Sequence, residues 1–412
     1  MTSSSGRAPR SSVTEEARLS GTVVPWAADP NVAAVLQPRR RRSRLTVVAM
    51  VGLGLALLLV AVLLLLAGDP VPLLISTLIA AASFPLLIWF FFWLDRWEPE
   101  PSRYRWAALI WGGSAAVLIA AAAQFVIAAF TRSDFWLAVV IAPLTEELAK
   151  GLFLVLIVWL RRGQLHGVVD GVVYAGLAGI GFAFTEDVLY YSSALTDGGP
   201  TELAALAIVR GLFSPFAHPL FTAAIGVGLG VAVTARSREA RILAPLLGYL
   251  VAVLLHATWN GSTMVAEGRG FLIAYLVVML PALAVLVVLA TRARQQEGVV
   301  VQRALTDAVA RGWVSPGDVA LAGSLAARRE ARRAARRRGG RPAEQLMETY
   351  SNDLTALAFL HDGVLRSPGP PEEKVARQVG DLIVRTQILR PYAFPVEPSG
   401  PLPTLGPLGS GR

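Results

Sequence analysis

The chain has 412 residues, of which 54% are hydrophobic and 16% are charged, whereas roughly 25% of the residues in a soluble domain are charged. This composition argues against a single soluble globule, and apolar runs such as 45–67 and 107–130 are long enough to cross a hydrocarbon core, which needs about 20 helical residues. The net charge of +9 divides into +5 over 1–45, −2 over 46–291 and +6 over 292–412. The absence of cysteine excludes disulfides, a thiolate nucleophile and thiolate metal sites.

Apolar runs bounded by charged residues predict an all-α, polytopic membrane bundle of about eight transmembrane helices. The predicted spans are 46–67, 71–94, 107–130, 135–160, 168–190, 208–234, 242–260 and 271–291. Arginine is concentrated before the first span and in every second connection, whereas the other connections carry only Arg132 and Arg269. The positive-inside rule then predicts a multi-pass protein of the cell membrane with both termini in the cytoplasm.

The segments outside the predicted bundle, which covers 46–291, are polar and basic. They are predicted to form a disordered arm at 1–45, a cytoplasmic helical region at 292–390 and a disordered tail rich in Pro and Gly at 391–412. Within the helical region, a helix start at Ser315 and a strongly basic helix over 328–338 are predicted. We expect the basic tails to contact anionic lipid, and no nucleic-acid partner is expected because no reader motif accompanies the arginines.

Glycine pairs three or four residues apart mark the fifth and sixth spans, as in Gly167 with Gly171 and Gly226 with Gly230. This spacing lets helix backbones approach closely, so both helices are predicted to lie in the interior of the bundle. The alternative is that glycine is simply common in membrane spans.

The fourth span contains charged residues, which are costly inside a membrane and therefore indicate function. Glu146, Glu147 and Lys150 occur in the string TEELAK, and Glu146 and Lys150 share a helical face. One glutamate is predicted to pair with Lys150 while the other faces a cavity. A plain interhelical salt bridge is the simpler alternative.

The fifth span ends with two adjacent carboxylates, Glu186 and Asp187, and Phe182 lies on the same face as Glu186. Asp187 is predicted to reach the outer interface, where a carboxylate is tolerated, so Glu186 carries more weight. Arg210, in the sixth span, is positioned to neutralise either carboxylate or to extend its charge to the interface.

The sixth and seventh spans each contribute a histidine. His218 lies between Pro215 and Pro219, which loosen the helical hydrogen bonding, and His256 lies one turn before Asn260. A lone histidine in an apolar helix is often a satisfied core residue, but two on consecutive helices favour a site. Three other residues are poor candidates because they lie near the inner interface or in the cytoplasmic region: His166, Asp170 and His361.

These candidates fall in the outer half of the bundle when about 1.5 Å is counted per residue from the span ends. Carboxylates that deprotonate water beside histidine and asparagine suit hydrolysis of an amide. The candidate ligands, if a metal is used, are Glu146, Glu186, His218 and His256. The protease strings HExxH and GxSxG are absent, and serine catalysis by Ser214 lacks a convincing orienting acid.

Four motifs therefore occur in order on successive predicted helices: EExxK at 146–150, FxxxED at 182–187, His218, and HxxxN at 256–260. Over roughly 70–290 this set resembles the PrsW family of intramembrane proteases, which is related to the CAAX prenyl endopeptidase and bacteriocin-processing superfamily. The second motif commonly ends in Glu-Asn in that family, whereas here Asp187 follows the glutamate.

The resemblance implies an endopeptidase that cuts a single-pass membrane protein on the outer side, as a step of regulated intramembrane proteolysis with an anti-sigma-factor-like substrate. Glu146 or Glu147 would activate water, Glu186 and His218 would orient it or bind a metal, and His256 and Asn260 would stabilise the oxyanion. The supporting residues would be Lys150, Asp187 and Phe182. The family is called a metalloprotease, which implies zinc, but relatives in the wider superfamily work as glutamate proteases without metal, so both possibilities are left open.

The alternative from another functional class is a proton- or ion-coupled transporter. Buried carboxylates with lysine and histidine also form proton relays. The sequence shows no repeated half and no matching pair of broken helices, which argues against this alternative.

Overall fold

The computed structural model describes residues 30–36, 44–131, 133–160, 165–264, 269–366 and 373–394. The chain divides into two compact units, one formed by 42–294 and the other by 1–41 together with 295–412. All regular secondary structure in the described residues is helical. The helices are α1 (Pro30–Leu36), α2 (Arg44–Ala67), α3 (Pro70–Leu94), α4 (Ser102–Ala128), α5 (134–160), α6 (Val168–Asp197), α7 (Gly199–Thr234), α8 (Arg238–Thr263), α9 (Arg269–Ala310), α10 (Pro316–Ala322), α11 (Leu325–Arg366) and α12 (Glu373–Ala393).

Seven of the helices in the described residues, α2 to α4 and α6 to α9, are long and apolar enough to cross a membrane. Helix α5 covers the predicted fourth span and is about as long as its neighbours, but Glu146, Glu147 and Lys150 in its central part lower its apolar character. The prediction of an all-α, multi-pass membrane bundle is therefore confirmed.

Two helices extend well beyond the spans predicted from apolar runs. Helix α7 begins at Gly199 rather than near 208, and α9 continues to Ala310, past the predicted span end at 291. The loss of hydrophobicity ends a span but not a helix, because 292–310 lacks proline and has good helix formers such as Ala, Arg and Gln.

The structure corrects the predicted disorder of the 1–45 arm at one place, since 30–36 form helix α1. So short a helix is not stable alone, but here Val32 is buried and the Arg385 guanidinium donates to the carbonyl oxygen of Val35 at 3.2 Å. At the other end, α12 continues to Ala393, into the tail predicted from 391 onwards. The first two residues of α2, at 44–45, and Phe394 are also described. All other residues of the two segments predicted to be disordered lie outside the described residues.

Helices α6 and α7 form the interior of the bundle, as their glycine spacing predicts. Over an apolar stretch of 18 residues in each helix, 89% of the α6 residues and 72% of the α7 residues are buried, against 11% for the corresponding stretch of α2. The two backbones touch where Gly171 faces Gly226, since a Cβ on Gly171 would lie 2.1 Å from the carbonyl oxygen of Gly226. Side chains on these two helices are therefore held at short range, which is the condition for a polar cluster between them.

Wider π turns interrupt three helices near the interior polar residues. They lie at Gly112–Ala116 in α4, Leu137–Ile141 in α5 and Ala207–Phe213 in α7. Helix α7 then breaks at Ser214, whose backbone N–H donates to the carbonyl of Val209 at 3.0 Å, shortly before His218. A π turn also frees the Gly113 carbonyl, which accepts a hydrogen bond from the Thr185 hydroxyl at 2.8 Å.

The second unit contains the end of α9 and helices α10 to α12. Helix α10 starts where the sequence predicts, because the backbone N–H of Ser315 donates to Asp318 at 2.7 Å. The basic stretch 328–338 is the first part of α11, which turns at Gly340, where a φ of +66° favours glycine. After the turn Glu344 and Glu348 pair with arginines of that stretch, at 3.2 and 3.0 Å. Its contact with anionic lipid stays a prediction.

The close approach of α6 and α7 gives the first testable prediction. Gly171→Ala would force the two backbones apart and lower the free energy of unfolding by about 1–3 kcal/mol, the usual cost of overpacking. Thermal unfolding of the detergent-solubilised protein, followed by tryptophan fluorescence, measures the change. Gly54→Ala is the matched control, because a Cβ on Gly54 meets nothing within 4 Å. Equal midpoints for the two variants would contradict the packing described here.

Candidate active site

The polar residues predicted from the sequence form one connected group inside the bundle. They come from α5 (Glu146, Glu147, Lys150), α6 (Phe182, Glu186, Asp187), α7 (Arg210, His218) and α8 (His256, Asn260). Helical spacing explains the arrangement within α5, since residues three and four apart share a face. The contact of α6 with α7 and of α7 with α8 brings the remaining side chains to that face.

Lys150 is fully buried and lies at the centre of this group. Its Nζ lies 2.7 Å from Glu147 Oε1, 3.1 Å from His218 Nδ1 and 3.9 Å from the centre of the Phe182 ring. The ammonium group is thus held by a carboxylate, an imidazole and an aromatic face, which together replace the water it has lost.

Glu147 is the glutamate that pairs with Lys150. Its Oε1 also lies 3.0 Å from His256 Nδ1, and its Oε2 accepts the Thr222 hydroxyl at 2.9 Å. The side chain is completely buried, and its two oxygens are committed to partners on α5, α7 and α8. Glu147 is therefore placed to hold the cluster together rather than to meet a substrate.

Glu146 is the glutamate that faces a cavity. Its Oε1 accepts a hydrogen bond from the Gln124 side chain at 3.2 Å, while its Oε2 has no hydrogen-bond partner among the described residues. The ammonium of Lys150 lies 3.6 Å from that oxygen, and His256 Nε2 lies 3.8 Å from it. The sequence prediction that one glutamate pairs and the other faces a cavity thus describes Glu147 and Glu146, respectively.

His218 is held between a cation and an anion. Its Nδ1 lies beside the Lys150 ammonium, which can only donate, so Nδ1 accepts and Nε2 carries the proton. That Nε2 lies 2.6 Å from Glu186 Oε2. The ring orientation and the tautomer are therefore both fixed by its two neighbours.

Arg210 binds both carboxylates of the α6 motif. It lies 2.8 Å from Glu186 and 2.5 Å from Asp187, which agrees with the neutralising position expected for it. Asp187 is only 2% exposed, so protein and not solvent surrounds its carboxylate, and its expected depth at the outer interface stays a prediction. Its pairing with Arg210, which comes from the π turn of α7, makes this burial possible.

His256 and Asn260 lie one turn apart on α8, as predicted. Since Glu147 can only accept, His256 Nδ1 donates to it, and Nε2 presents a lone pair toward Glu146. The Asn260 amide donates to the Ala138 carbonyl at 2.8 Å, in the π turn of α5, and retains a second N–H. The geometry favours Asn260 over His256 as the donor to an oxyanion.

A cavity of about 540 Å³ opens beside this group, within the usual range for ligand sites. Its lining comes from α4, α5, α6 and α8 and includes Glu146, Glu186 and Asn260. The sequence analysis missed further polar lining residues, among them Gln124 and Tyr190. Gln124 is a polar residue within an apolar run, so the rule that identified the charged residues would also have found it.

The same group contains a set of donors suited to a metal ion. Glu146, His218 and His256 each offer one ligand atom, and these atoms lie within 4.8 Å of one another. Two imidazoles and one glutamate are the ligands of several catalytic zinc sites. A histidine that binds zinc ordinarily donates its other ring N–H to a carboxylate, and Glu147 is in that position beside His256. The free Glu146 Oε2 and His256 Nε2 fit this arrangement, whereas His218 would exchange one of its present contacts for the ion.

The buried pair gives the second prediction. Lys150→Met leaves Glu147 buried without its cation, so the free energy of unfolding should fall by about 3–5 kcal/mol. The double variant Lys150→Met with Glu147→Gln removes both charges and should recover at least half of that loss. Denaturant unfolding in detergent measures both effects. The control is Lys374→Met, which changes the other lysine of the chain, an exposed residue of α12. Equal stability of the Lys150 and Lys374 variants would be inconsistent with the pairing.

Comparison with known proteins agrees with the motifs. Residues 100–286 match the family described as PrsW family intramembrane metalloprotease. A curated relative, protease PrsW of Oceanobacillus iheyensis, is 30% identical over 117 residues, which is 28% of this chain and 49% of that protein. Protease PrsW of Geobacillus kaustophilus is 27% identical over 199 residues, which is 47% of this chain and 83% of that protein.

No solved structure gives a significant match to the chain. The family match covers α5 to α8, which contribute every residue of the polar group, and it also contains the α4 residue Gln124. The resemblance predicted from the four motifs is thus confirmed over residues 100–286, which are similar to the PrsW family of intramembrane metalloproteases.

Proposed function

We propose that the chain is an intramembrane endopeptidase that hydrolyses a peptide bond of a membrane-anchored protein in the cavity beside Glu146. The observation that carries the proposal is the Glu146 carboxylate. The residue lines the cavity and is 7% exposed, yet its Oε2 has no hydrogen-bond partner among the described residues. A buried carboxylate left with a free oxygen is costly for stability, and such groups mark functional sites.

Two neighbouring acceptor atoms, one on Glu146 and one on His256, would suit a hydrolytic water molecule. Glu146 Oε2 and His256 Nε2 lie 3.8 Å apart, so one water can donate a hydrogen bond to each. When the water oxygen attacks the peptide carbonyl carbon, its proton passes to Glu146. The same proton then goes to the departing nitrogen as the C–N bond breaks, which yields a carboxyl group and an amine.

Asn260 is placed to stabilise the charge that develops on the carbonyl oxygen. Its side chain lines the cavity and has one N–H beyond the bond to Ala138. The bond to Ala138 fixes the direction of the amide before substrate arrives, and such preorganised donors are effective in a site that excludes water. Glu147 and Lys150 contribute by holding His256 and His218 in place.

A metal ion, if bound, would be held by Glu146, His218 and His256. It would supply Lewis acidity and lower the pKa of a bound water molecule. We propose zinc, because the donor set is that of catalytic zinc sites and the matching family is described as a metalloprotease.

The position of the site supports a membrane-anchored substrate and cleavage on the outer side. Glu146 lies about 18 Å along α5 from its first residue, a distance that would place it well inside a bilayer, where membrane-embedded peptides lie. The site lies toward the end of α6 and α8 and the start of α5, and the connections at those ends carry little arginine. From the positive-inside rule we propose that these ends lie on the outer face and that both termini lie in the cytoplasm. An anti-sigma-factor-like, single-pass substrate is the proposal that follows from the family.

The third prediction tests the hydrolysis. Wild-type protein should generate new N-termini within single-pass membrane proteins, and Glu146→Gln should abolish them by lowering the rate at least about 100-fold, since the general base is lost. The measurement is N-terminal proteomics of membranes from host cells that express each variant at equal level. Glu239→Gln, an exposed carboxylate of α8, is the control and should cleave like the wild type.

Unchanged cleavage by Glu146→Gln would refute the proposal. Proton flux into proteoliposomes without any cleavage would favour the transporter, which uses the same kinds of buried groups.

The fourth prediction concerns the metal. Chelation of the purified protein should stop cleavage of a reconstituted single-pass substrate, and added Zn²⁺ should restore it. Elemental analysis should show one equivalent less zinc in His256→Ala than in the wild type. A chelated, zinc-free protein that still cleaves at the full rate would show that Glu146 works without a metal.

A further inference from the structure

A second group of carboxylates and a histidine lies at the other end of α6, far from the cavity. Glu100, in the connection between α3 and α4, meets His166 and Asp170, at the start of α6. One ligand atom from each of the three lies within 4.8 Å of the other two. Asp170 and Glu186 are both on α6, sixteen residues apart, so the two groups are about 24 Å apart along the helix.

The ligand oxygens of this group are buried and held in fixed directions. Glu100 and Asp170 are only 4% and 5% exposed. Glu100 Oε2 accepts the Tyr174 hydroxyl at 2.7 Å, and Asp170 Oδ2 accepts the backbone N–H of His166 at 2.6 Å. These contacts leave each carboxylate with lone pairs that can bind a cation.

More carboxylates surround the three residues. Glu98 Oε2 lies 3.4 Å from His166 Nδ1, and Asp95 accepts the backbone N–H of Glu100 at 3.0 Å. Arg105 contacts one of these carboxylates, that of Asp95, at 2.9 Å. Two buried carboxylates directed at one another repel strongly unless a positive charge lies between them.

We propose that Glu100, His166 and Asp170 form a binding site for a divalent first-row transition-metal ion, separate from the active centre. Two carboxylates and one imidazole suit Zn²⁺ or Mn²⁺ better than Mg²⁺, which prefers an all-oxygen octahedron. Ligand atoms of a tetrahedral zinc site lie about 3.3 Å apart, so small side-chain rotations would bring these three to the ion. Water would complete the coordination.

Such an ion would join three parts of the chain. The connection 95–101, the segment 165–167 and the first turn of α6 each contribute a ligand or lie directly beside one. The ion would fix the first turn of α6. Toward its other end the same helix carries Glu186, which contacts His218 at 2.6 Å. Its predicted role is to stabilise the bundle, without contact with the substrate.

Metal binding to the full-length protein tests the site without any cleavage assay. The background is Glu146→Ala with His218→Ala, which removes two donors of the active centre. This protein is equilibrated in detergent with Zn²⁺, Mn²⁺ or Mg²⁺, and bound metal is counted by elemental analysis after desalting. We expect close to one equivalent of Zn²⁺ or Mn²⁺, and none of Mg²⁺.

Further substitutions in that background locate the ion. His166→Asn and, independently, the near-isosteric Glu100→Gln should each lower affinity at least tenfold. The matched control His361→Asn, in the second unit, should leave binding unchanged. Circular dichroism and gel-filtration elution show whether each variant is folded.

Two results would overturn the site. One is that the background variant, Glu146→Ala with His218→Ala, binds no transition metal. A proton shared between Glu100 and Asp170 would then relieve their repulsion. The other is that a folded His166→Asn or Glu100→Gln variant still binds one equivalent of metal with unchanged affinity. Neither result bears on the proposed peptidase function, because no cleavage is measured.

Discussion

A buried ammonium group, that of Lys150, determines how the polar cluster of this protein is arranged. A lysine inside a membrane bundle is stable only if an anion and other polar or aromatic groups replace its water. Here Glu147 supplies the anion at 2.7 Å, and His218 and Phe182 supply the other contacts. These partners lie on α5, α7 and α6, so the requirement of one charge fixes three helices relative to one another.

The same requirement separates two neighbouring glutamates into different roles. Glu147 is committed to Lys150, His256 and Thr222, and it cannot turn toward a substrate without leaving a buried cation unpaired. Glu146, one residue earlier, lies about 100° around the helix and retains a free oxygen at the cavity. The pair therefore combines a charge that is committed to the cluster with one that faces the cavity. Helices α6 and α7 pack closely at His218, because a Cβ on Gly179 would lie 2.8 Å from the carbonyl oxygen of His218.

Much of this arrangement could be predicted from the sequence because membranes penalise charge so strongly. Each ionisable residue in an apolar run must have a partner, so EExxK, FxxxED and the two histidines could be assigned to one site before any contact was known. Glycine spacing likewise identified α6 and α7 as interior helices.

Other features depend on tertiary contacts that periodicity does not encode. Which glutamate pairs with Lys150 follows from the positions of Thr222 and His256 on other helices, and the burial of Asp187 follows from a π turn that turns Arg210 inward. His166 and Asp170 were poor candidates in sequence terms. Their meeting with Glu100 results from how the α3–α4 connection packs against the start of α6.

The central claim is that the peptide is cut at Glu146 in the cavity between α4, α5 and α6. The most direct measurement is an experimental structure of the inactive Glu146→Gln variant with an uncut single-pass substrate bound. The account predicts the scissile carbonyl carbon within about 4 Å of the side chain at position 146, with its oxygen toward Asn260. A substrate bound on another face of the bundle, with its peptide outside the cavity, would contradict it.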